Sequence, residues 1–340
     1  VEENLGEGYV RLRVSEAERR QAKHDIQHVE DIVIEMLRNA RDAGADKVYL
    51  ATTKEDGVRT LVFLDNGSGV PQDMQERIFD ARVTSKLESM KMDRWGVHGR
   101  GMALFSIKQN TDEARVVASD VDLGSVFKVS VATDRLGERA DQSSWPQAVK
   151  DEDGHYVCAR GPHNIIRAAC EFALEELRAC DVYLGSPSEI AATLHAQASS
   201  RLDASRLLFI DDEAELPVVD RLGLASDAED FIRICSGLGL EMSERTAHRI
   251  LAGQIKPVRG VTARLLRERD SSSHASAPVD LAKDRRGLRI AKDDMAQFSR
   301  AVERDFNDLA SRYYLSLCGD PKIRVSRDRI TVTFDLAKEE

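Results

Sequence analysis

Apolar and polar residues alternate from Tyr9 to Val14, which predicts a short strand. Ser15 with Glu18 three residues later is a capping-box pattern that opens a helix. Ile26, Val29, Val33, Leu37 and Ala40 then recur at three- and four-residue steps, so an amphipathic helix is expected to close at Gly44. Lys47–Thr53 and Val58–Leu64 read as strands joined by the turn Lys54-Glu55-Asp56-Gly57. A glycine-rich loop, Asp65-Asn66-Gly67-Ser68-Gly69-Val70-Pro71, precedes a short helix over Gln72–Phe79. Residues 81–101 are polar and glycine-dotted, with no period. Met102–Gln109 reads as a helix, and Arg115–Ala118 with Ser125–Ala132 as a second hairpin.

Residues 134–162 are polar and punctuated by Pro146, Gly154, Gly161 and Pro162, so a linker is expected there. The expected domains are 1–135 and 163–340, with 136–162 between them. The second half opens on one long helical pattern, Ile165–Leu184. A short strand at Leu207–Ile210, several short helices over 227–269 and a flexible loop at 271–278 follow. A helix over Asp293–Leu315 and a terminal hairpin, Ile323–Val325 with Ile330–Phe334, complete the pattern.

The chain has 340 residues, enough for about two domains, and 42% of them are apolar. No run approaches the roughly 18 consecutive apolar residues of a membrane span. Val-Glu-Glu-Asn at the start lacks the basic and apolar regions of a secretory signal. Five cysteines, an odd number with no CxxC pair, argue against a disulfide framework or a zinc site, and a cytoplasmic setting is expected. The net charge of -10 disfavours non-specific nucleic-acid binding, although a local basic patch could still bind.

Four segments of the first half carry chemistry together. In Glu35-Met36-Leu37-Arg38-Asn39-Ala40-Arg41-Asp42-Ala43-Gly44, Glu35, Asn39 and Asp42 stand at i, i+4 and i+7 and share one helix face. A carboxylate beside an amide oxygen suits a hard cation with water in its shell. In Asp65-x-Gly67-x-Gly69 the glycines let backbone approach a flat ligand, and the Asp can accept from an amine. Thr84-Ser85-Lys86 precedes the second glycine loop, Gly96-Val97-His98-Gly99-Arg100-Gly101-Met102, which runs into a helix. Free N–H groups at a helix start bind phosphate. Neither the dinucleotide fingerprint nor the Gly-Lys-Ser/Thr of a P-loop is present.

In this order and spacing the segments resemble the GHKL ATPases: DNA gyrase B, the heat-shock chaperones, histidine kinases and MutL. The resemblance covers roughly residues 10–133, with Gly124-Ser125-Val126-Phe127 similar to the family's late glycine box. It implies an α+β fold: a Bergerat-type sandwich with helices on one face of a mixed sheet, followed by a mainly helical α+β second domain. It implies ATP and Mg²⁺ as ligands, with Asn39 on the metal, Asp65 on the adenine amine and Gly67 and Gly69 shaping the adenine pocket. Residues 81–98, including Thr84, Ser85, Lys86, Gly96 and His98, would form a lid. Gly99, Arg100, Gly101 and Met102 would face the phosphates, Asp42 and Ser125 would border the nucleotide, and Glu35 would polarise the attacking water.

Asp42-Ala43-Gly44-Ala45-Asp46 and Ala81–Lys86 look most like MutL and the type II topoisomerases, whereas Pro71–Phe79 looks like sensor kinases. A kinase needs a phosphoacceptor His well upstream, and His24 and His28 lie too close to Glu35 for that. The topoisomerase-like resemblance implies an ATP-dependent homodimer, with Tyr9–Val14 crossing to a partner or pairing in its own sheet. Gln254-Ile255-Lys256 looks like the loop that brings a catalytic Lys to the γ-phosphate in such relatives, so Lys256 is a candidate. The same stretch has a rival reading. Leu238–Gly253 looks like a helix-turn-helix with Ser243 capping a recognition helix, and Arg245, Arg249, Lys256, Arg259, Arg264 and Arg267 add positive charge. A DNA or protein partner through residues 163–340 is expected on that basis, and no membrane contact.

Overall fold

The computed structural model describes residues 2–85, 91–98, 101–139, 141–202 and 212–266, and short stretches between 295 and 338. The chain divides into two compact units, Val1–Ser272 and Ser273–Glu340. The boundary expected at 136–162 is therefore not where the units part. That stretch contains an antiparallel hairpin instead, Gln147–Lys150 paired with Tyr156–Arg160.

The first unit opens with strands β1 (Glu3–Gly6) and β2 (Tyr9–Arg11). Helix α1 (Glu16–Asp25) starts at Ser15, whose hydroxyl accepts from the Glu18 N–H while the Glu18 carboxylate accepts from the Ser15 N–H. The single helix expected up to Gly44 is two. The chain breaks at Ile26–His28, where Asp31 accepts from the N–H groups of Gln27 and His28 and caps a new helix, α2 (Val29–Asp42). Its apolar stripe, Ile32, Val33, Met36 and Leu37, is buried against the sheet.

Strands β3 (Lys47–Glu55) and β4 (Val58–Asp65) form the expected hairpin about Asp56–Gly57, both at positive φ. The short helix expected over Gln72–Phe79 is two separate 3-10 turns, Gln72–Met74 and Arg77–Phe79. Strands β5 (Val83–Thr84), β6 (Lys91–Asp93) and β7 (Gly96–His98) follow, then helix α3 (Ala103–Asn110) and strands β8 (Glu113–Ser119) and β9 (Ser125–Ala132). After the hairpin strands β10 (Gln147–Lys150) and β11 (Tyr156–Arg160) comes α4 (Ile165–Glu175). The long helix expected to Leu184 stops there. Arg178 takes a positive φ, and Asp181–Gly185 becomes strand β12, paired parallel with β3.

The central sheet has the order β12-β3-β4-β9-β8, mixed because only β12 runs parallel to its neighbour. Side chains alternate across it. Val48, Leu50, Leu61, Phe63, Phe127 and Val129 face one core shared with α2 and α4. Tyr49, Ala51, Val62, Leu64 and Val126 face a second core. This is the α+β sandwich with a mixed sheet that the resemblance implied. Its second face, for which no covering was expected, carries helices α5 (Pro187–Arg201), α6 (Ala228–Gly237) and α7 (Glu244–Leu251). The helices expected over 227–269 thus belong to this unit.

A separate three-stranded sheet has the order β1-β2-β5. Val10 pairs with Thr84 and Arg11 with Val83, while Glu3 and Asn4 pair with Arg11 and Val10 on the other side. Among the described residues, Val10 and Arg11 are therefore paired on both sides within their own chain.

In the second unit, Leu315–Leu317 pairs with Leu336–Lys338, and Lys322–Val325 with Ile330–Thr333, the expected terminal hairpin. Leu315 opens a strand, so the helix expected over 293–315 ends before it. The expected strand at 207–210, the loop at 271–278 and the turn at 326–328 lie outside the described residues. No helix among the described residues is long and apolar enough to cross a membrane.

Candidate nucleotide site

A cavity of about 590 Å³ opens between α2, the loop after β4, β5 and the start of α3. Glu35, Asn39 and Asp42 of α2 all line it, as their shared helix face requires. Asp65 at the end of β4 forms its floor, with Ser125 and Phe127 of the neighbouring β9 beside it. Ser68, Gly69, Thr84, Ser85, Gly101 and Met102 complete the polar wall. Residues as far apart in sequence as Glu35 and Phe127 are thus gathered by the β4–β9 pairing and two helices.

Asp65 is 4% exposed, and its Oδ1 accepts the Gly67 N–H at 2.8 Å. That bond turns the chain sharply out of β4. Gly69 then sits at φ +72°, and a Cβ there would lie 1.8 Å from the Asp120 carbonyl oxygen. No other residue fits that position without moving the β8–β9 loop. Gly67 is required for a different reason from the one expected: it does not line the cavity, and a Cβ would press on Ala43 at the end of α2. Gly101 has φ +68° and its carbonyl accepts from the Arg82 N–H at 2.8 Å, which sets the entry of α3 against β5. The first turn of α3, Ala103 and Leu104, faces the cavity, so N–H groups of a helix start border it.

Charged groups on α2 are tied into one chain. Arg38, 3% exposed, donates from Nη1 to Glu35 Oε1 at 2.7 Å and from Nε to Asp93 Oδ2 at 3.0 Å. Arg41 donates from Nη1 to Asp93 at 3.2 Å and to Glu176 at 3.1 Å, and from Nε to Asp42 at 3.1 Å. Burial pulls the Arg41 guanidinium down, but the bonds to Glu176, Asp42 and Asp93 outweigh it and hold its pKa above the ordinary arginine value. Burial pushes the Tyr9 phenol up, with a hydrogen bond to Ser85 offsetting part of the effect. The turn Asp93–Gly96 between β6 and β7 is docked: Trp95 stacks on Phe172 of α4 with centroids 6.3 Å apart. The segment expected as a lid is anchored at this point.

The geometry suits a nucleotide with a hard cation. Asn39 Nδ2 is buried with no hydrogen-bond partner, so it can donate to an acceptor of a ligand, such as a phosphate oxygen, while a cation would take the oxygen of the same amide. The cavity pairs a carboxylate floor, fit for an exocyclic amine, with a helix start fit for phosphate. Tyr9, Met36, Arg38, Phe63, Ile78 and Trp95 also line it and were not foreseen. Phe63 stands opposite Phe127 in the register of β4 and β9, a signal that exists only once the pairing is known.

Other expectations fall elsewhere. Lys256 is exposed in the loop after α7 and does not line the cavity. Helix α7 packs against α5 and α6 in the core shared with Tyr49, Ala51, Val62 and Leu64, whereas α2 and the cavity lie on the face of Leu50 and Phe63. Gly96 and His98 form β7, paired with β6. Lys86, Gly99 and Arg100 lie outside the described residues. Of the stretch read as a helix-turn-helix, Leu238–Gly253, only α7 is helical: α6 already ends at Gly237, Gly239 turns at φ +69°, and the Ser243 side chain accepts from the Thr246 N–H to cap α7. Arg245 and Arg249 are exposed on α7, with Ala247 and Ile250 buried beneath.

Residues 26–119 match the family model for histidine kinase-, DNA gyrase B- and HSP90-like ATPases. The DNA mismatch repair protein MutL of Staphylococcus aureus strains Newman and JH1 is 28% identical over 136 residues. The match covers 37% of this chain and 20% of each relative, so the chain shares about a fifth of their length. Residues 26–119 are thus similar to the ATPase domain of the GHKL superfamily, and the mixed sheet with its helices agrees with a Bergerat fold.

Proposed function

We propose that the protein binds ATP with Mg²⁺ in this cavity, hydrolyses it slowly, and uses the bound and released states as a conformational switch. One observation carries the reading: Glu35, Asn39, Asp65, Gly69, Gly101 and Ser125 line one cavity although they come from five separate elements and loops. Asp65 accepts from the adenine amine, and the Asn39 amide oxygen, with water, holds the cation. Magnesium, when bound, neutralises charge on the phosphates. Gly101, Met102 and the first turn of α3 offer N–H groups to the phosphates. Glu35 orients the attacking water and takes its proton. Positioning and charge stabilisation do most of the work in phosphoryl transfer, so a slow basal rate is expected from groups set on one helix and two loops.

The test is a pair of measurements on the wild type and Glu35→Ala: ATP affinity by titration, and release of inorganic phosphate. Wild-type turnover lost in Glu35→Ala, with affinity retained, supports the reading. Turnover at the wild-type rate in that variant refutes it. No phosphate should remain on the protein after incubation with γ-labelled ATP; label stable to base on a histidine would favour a kinase. ATP-driven association of two chains belongs to the same reading. Light scattering with a non-hydrolysable analogue tests it.

A second reading, an ATP-controlled DNA-binding regulator, is favoured by the capped helix α7 with exposed Arg245 and Arg249. Its layer also touches the adenine side of the site. The Val218 N–H donates to Leu123 O at 2.9 Å, and the neighbouring Gly124 abuts the Asp65 carbonyl. Retardation of duplex DNA that weakens steeply with salt, changes with ATP, and is lost in Arg245→Ala/Arg249→Ala would support this reading. Absence of retardation at low salt would remove it.

A further inference from the structure

The Glu35–Arg38 pair could be an ordinary i,i+3 helix contact, worth little on a surface. Three observations set it apart. Arg38 is 3% exposed, and burying a charge is costly unless every partner is in place. Its Nε is held by Asp93, a residue of another element 55 positions away and itself 7% exposed. Asp93 is in turn fixed by the Trp95 N–H on Oδ1 at 3.0 Å and by Arg41, which reaches Glu176 at the end of α4. Glu35, 22% exposed at the cavity wall, is the end of this chain that meets the ligand space.

We propose that Arg38 is a positioning residue for hydrolysis, aimed by Asp93, which fixes the plane of the Glu35 carboxylate against the attacking water. The proposal rests on the ATPase reading above. A guanidinium does not lose its proton at any working pH, so Arg38 stays a fixed cationic donor to the Glu35 carboxylate oxygen. In the step it serves, the water oxygen bonds to the γ-phosphorus and its proton passes to Glu35. The bond from the γ-phosphorus to the bridging oxygen breaks with its electrons on that oxygen, leaving ADP and inorganic phosphate. A base oriented by a third group is the general arrangement for activating a nucleophile. Nothing in the family-like motif spacing of Glu35, Asn39 and Asp42 calls for Arg38 or Asp93; only the folded hairpin β6–β7 brings them together.

The experiment compares wild type with Arg38→Met, Arg38→Lys and Asp93→Asn in the full chain. It reads kcat and KM for ATP, the Kd of a non-hydrolysable ATP analogue and of ADP, and the melting temperature. Arg38→Met keeps the apolar stem and should lower kcat on the order of 100-fold, the scale of a misplaced catalytic group, with both Kd values kept. Arg38→Lys should recover part of that loss, and Asp93→Asn should lower kcat in the same direction with binding kept. Unchanged kcat in Arg38→Met overturns the proposal. So does selective loss of the ATP analogue over ADP, because Arg38 would then meet the γ-phosphate itself. Parallel loss of kcat, binding and melting temperature in all three variants, with no rescue by Lys, marks the cluster as structural only and overturns it too. If Arg38→Met does not fold, Arg38→Lys and Asp93→Asn decide by the same signatures. A wild type that binds ATP but releases no phosphate defeats the ATPase reading, and is told apart because it needs no variant.

Discussion

Gly69→Ala and Gly57→Ala place the same methyl group at nearly the same backbone angles, φ +72° and +80°, in very different surroundings. At Gly57, the tip of the β3–β4 hairpin, nothing lies within 4 Å of an added Cβ. Only the left-handed backbone conformation is penalised there, about 1–2 kcal/mol. At Gly69 the same penalty applies, and the Cβ would also sit 1.8 Å from the Asp120 carbonyl oxygen and 2.8 Å from its carbon. Those are backbone atoms, held by the Asp122 N–H bond to Ser68 O at 2.8 Å, so the loop cannot yield by a rotamer change. Overpacking of this kind adds about 1–3 kcal/mol. Gly69→Ala should therefore cost roughly 2–5 kcal/mol against roughly 1–2 for Gly57→Ala, a difference of several degrees in melting temperature for a unit of this size. Urea unfolding gives both values from midpoints at constant slope. Equal losses in the two variants would refute the close approach of the Asp65–Val70 loop to the β8–β9 loop, and with it the floor of the cavity.

Asp65→Asn should weaken ATP about ten- to a hundredfold, because a charge-assisted acceptor is replaced by a possible donor, worth about 1.5–3 kcal/mol; an unchanged titration would sink the adenine assignment. Asn39→Ala should weaken Mg-ATP more than metal-free ATP, measured by titration with and without chelator; equal losses would take Asn39 off the metal. Burial pushes the Cys158 thiol up to about 11 and the Cys180 thiol up to about 12, from an ordinary value of 9.0. Below pH 9 both folded and unfolded thiols hold their protons; above it the unfolded chain ionises first, so stability falls as pH rises from about 9 toward those folded values. Urea midpoints at pH 8 and pH 10.5 check this, and Cys→Ala at both positions should flatten the decline. A midpoint that does not drop contradicts the burial of these thiols.

Several features were legible in the residues alone because their causes are local. The Ser15–Glu18 box, the Asp56–Gly57 turn and the Ser243 cap need only a few neighbouring residues, and all form as read. Glu35, Asn39 and Asp42 share a face by helix geometry, and Asp65 and Gly69 meet that face once β4 pairs with its neighbours. Period and turn chemistry placed these residues on their elements, and the fold class followed from the family resemblance that their motif order carries. What failed depends on contacts distant in sequence. Ile165–Leu184 reads as one helix, yet Val182 and Leu184 gain more from pairing with β3 and filling its flanking cores than from another helical turn. Helix propensity yields to tertiary context in this way. A polar stretch at 134–162 looks like a linker, but its residues hydrogen-bond into α2 and α4: Gln142 reaches Glu30, and Asn164 holds the carbonyls of Asp141 and Ser144. Lys256 fits a short motif, but the side of the sheet on which its helix packs is decided by which apolar faces are left to cover. The Arg38–Asp93 bond has the same origin. Its partners are chosen by distance in the folded chain, and a charge pattern along the sequence carries no record of which of 59 acids a given arginine will find.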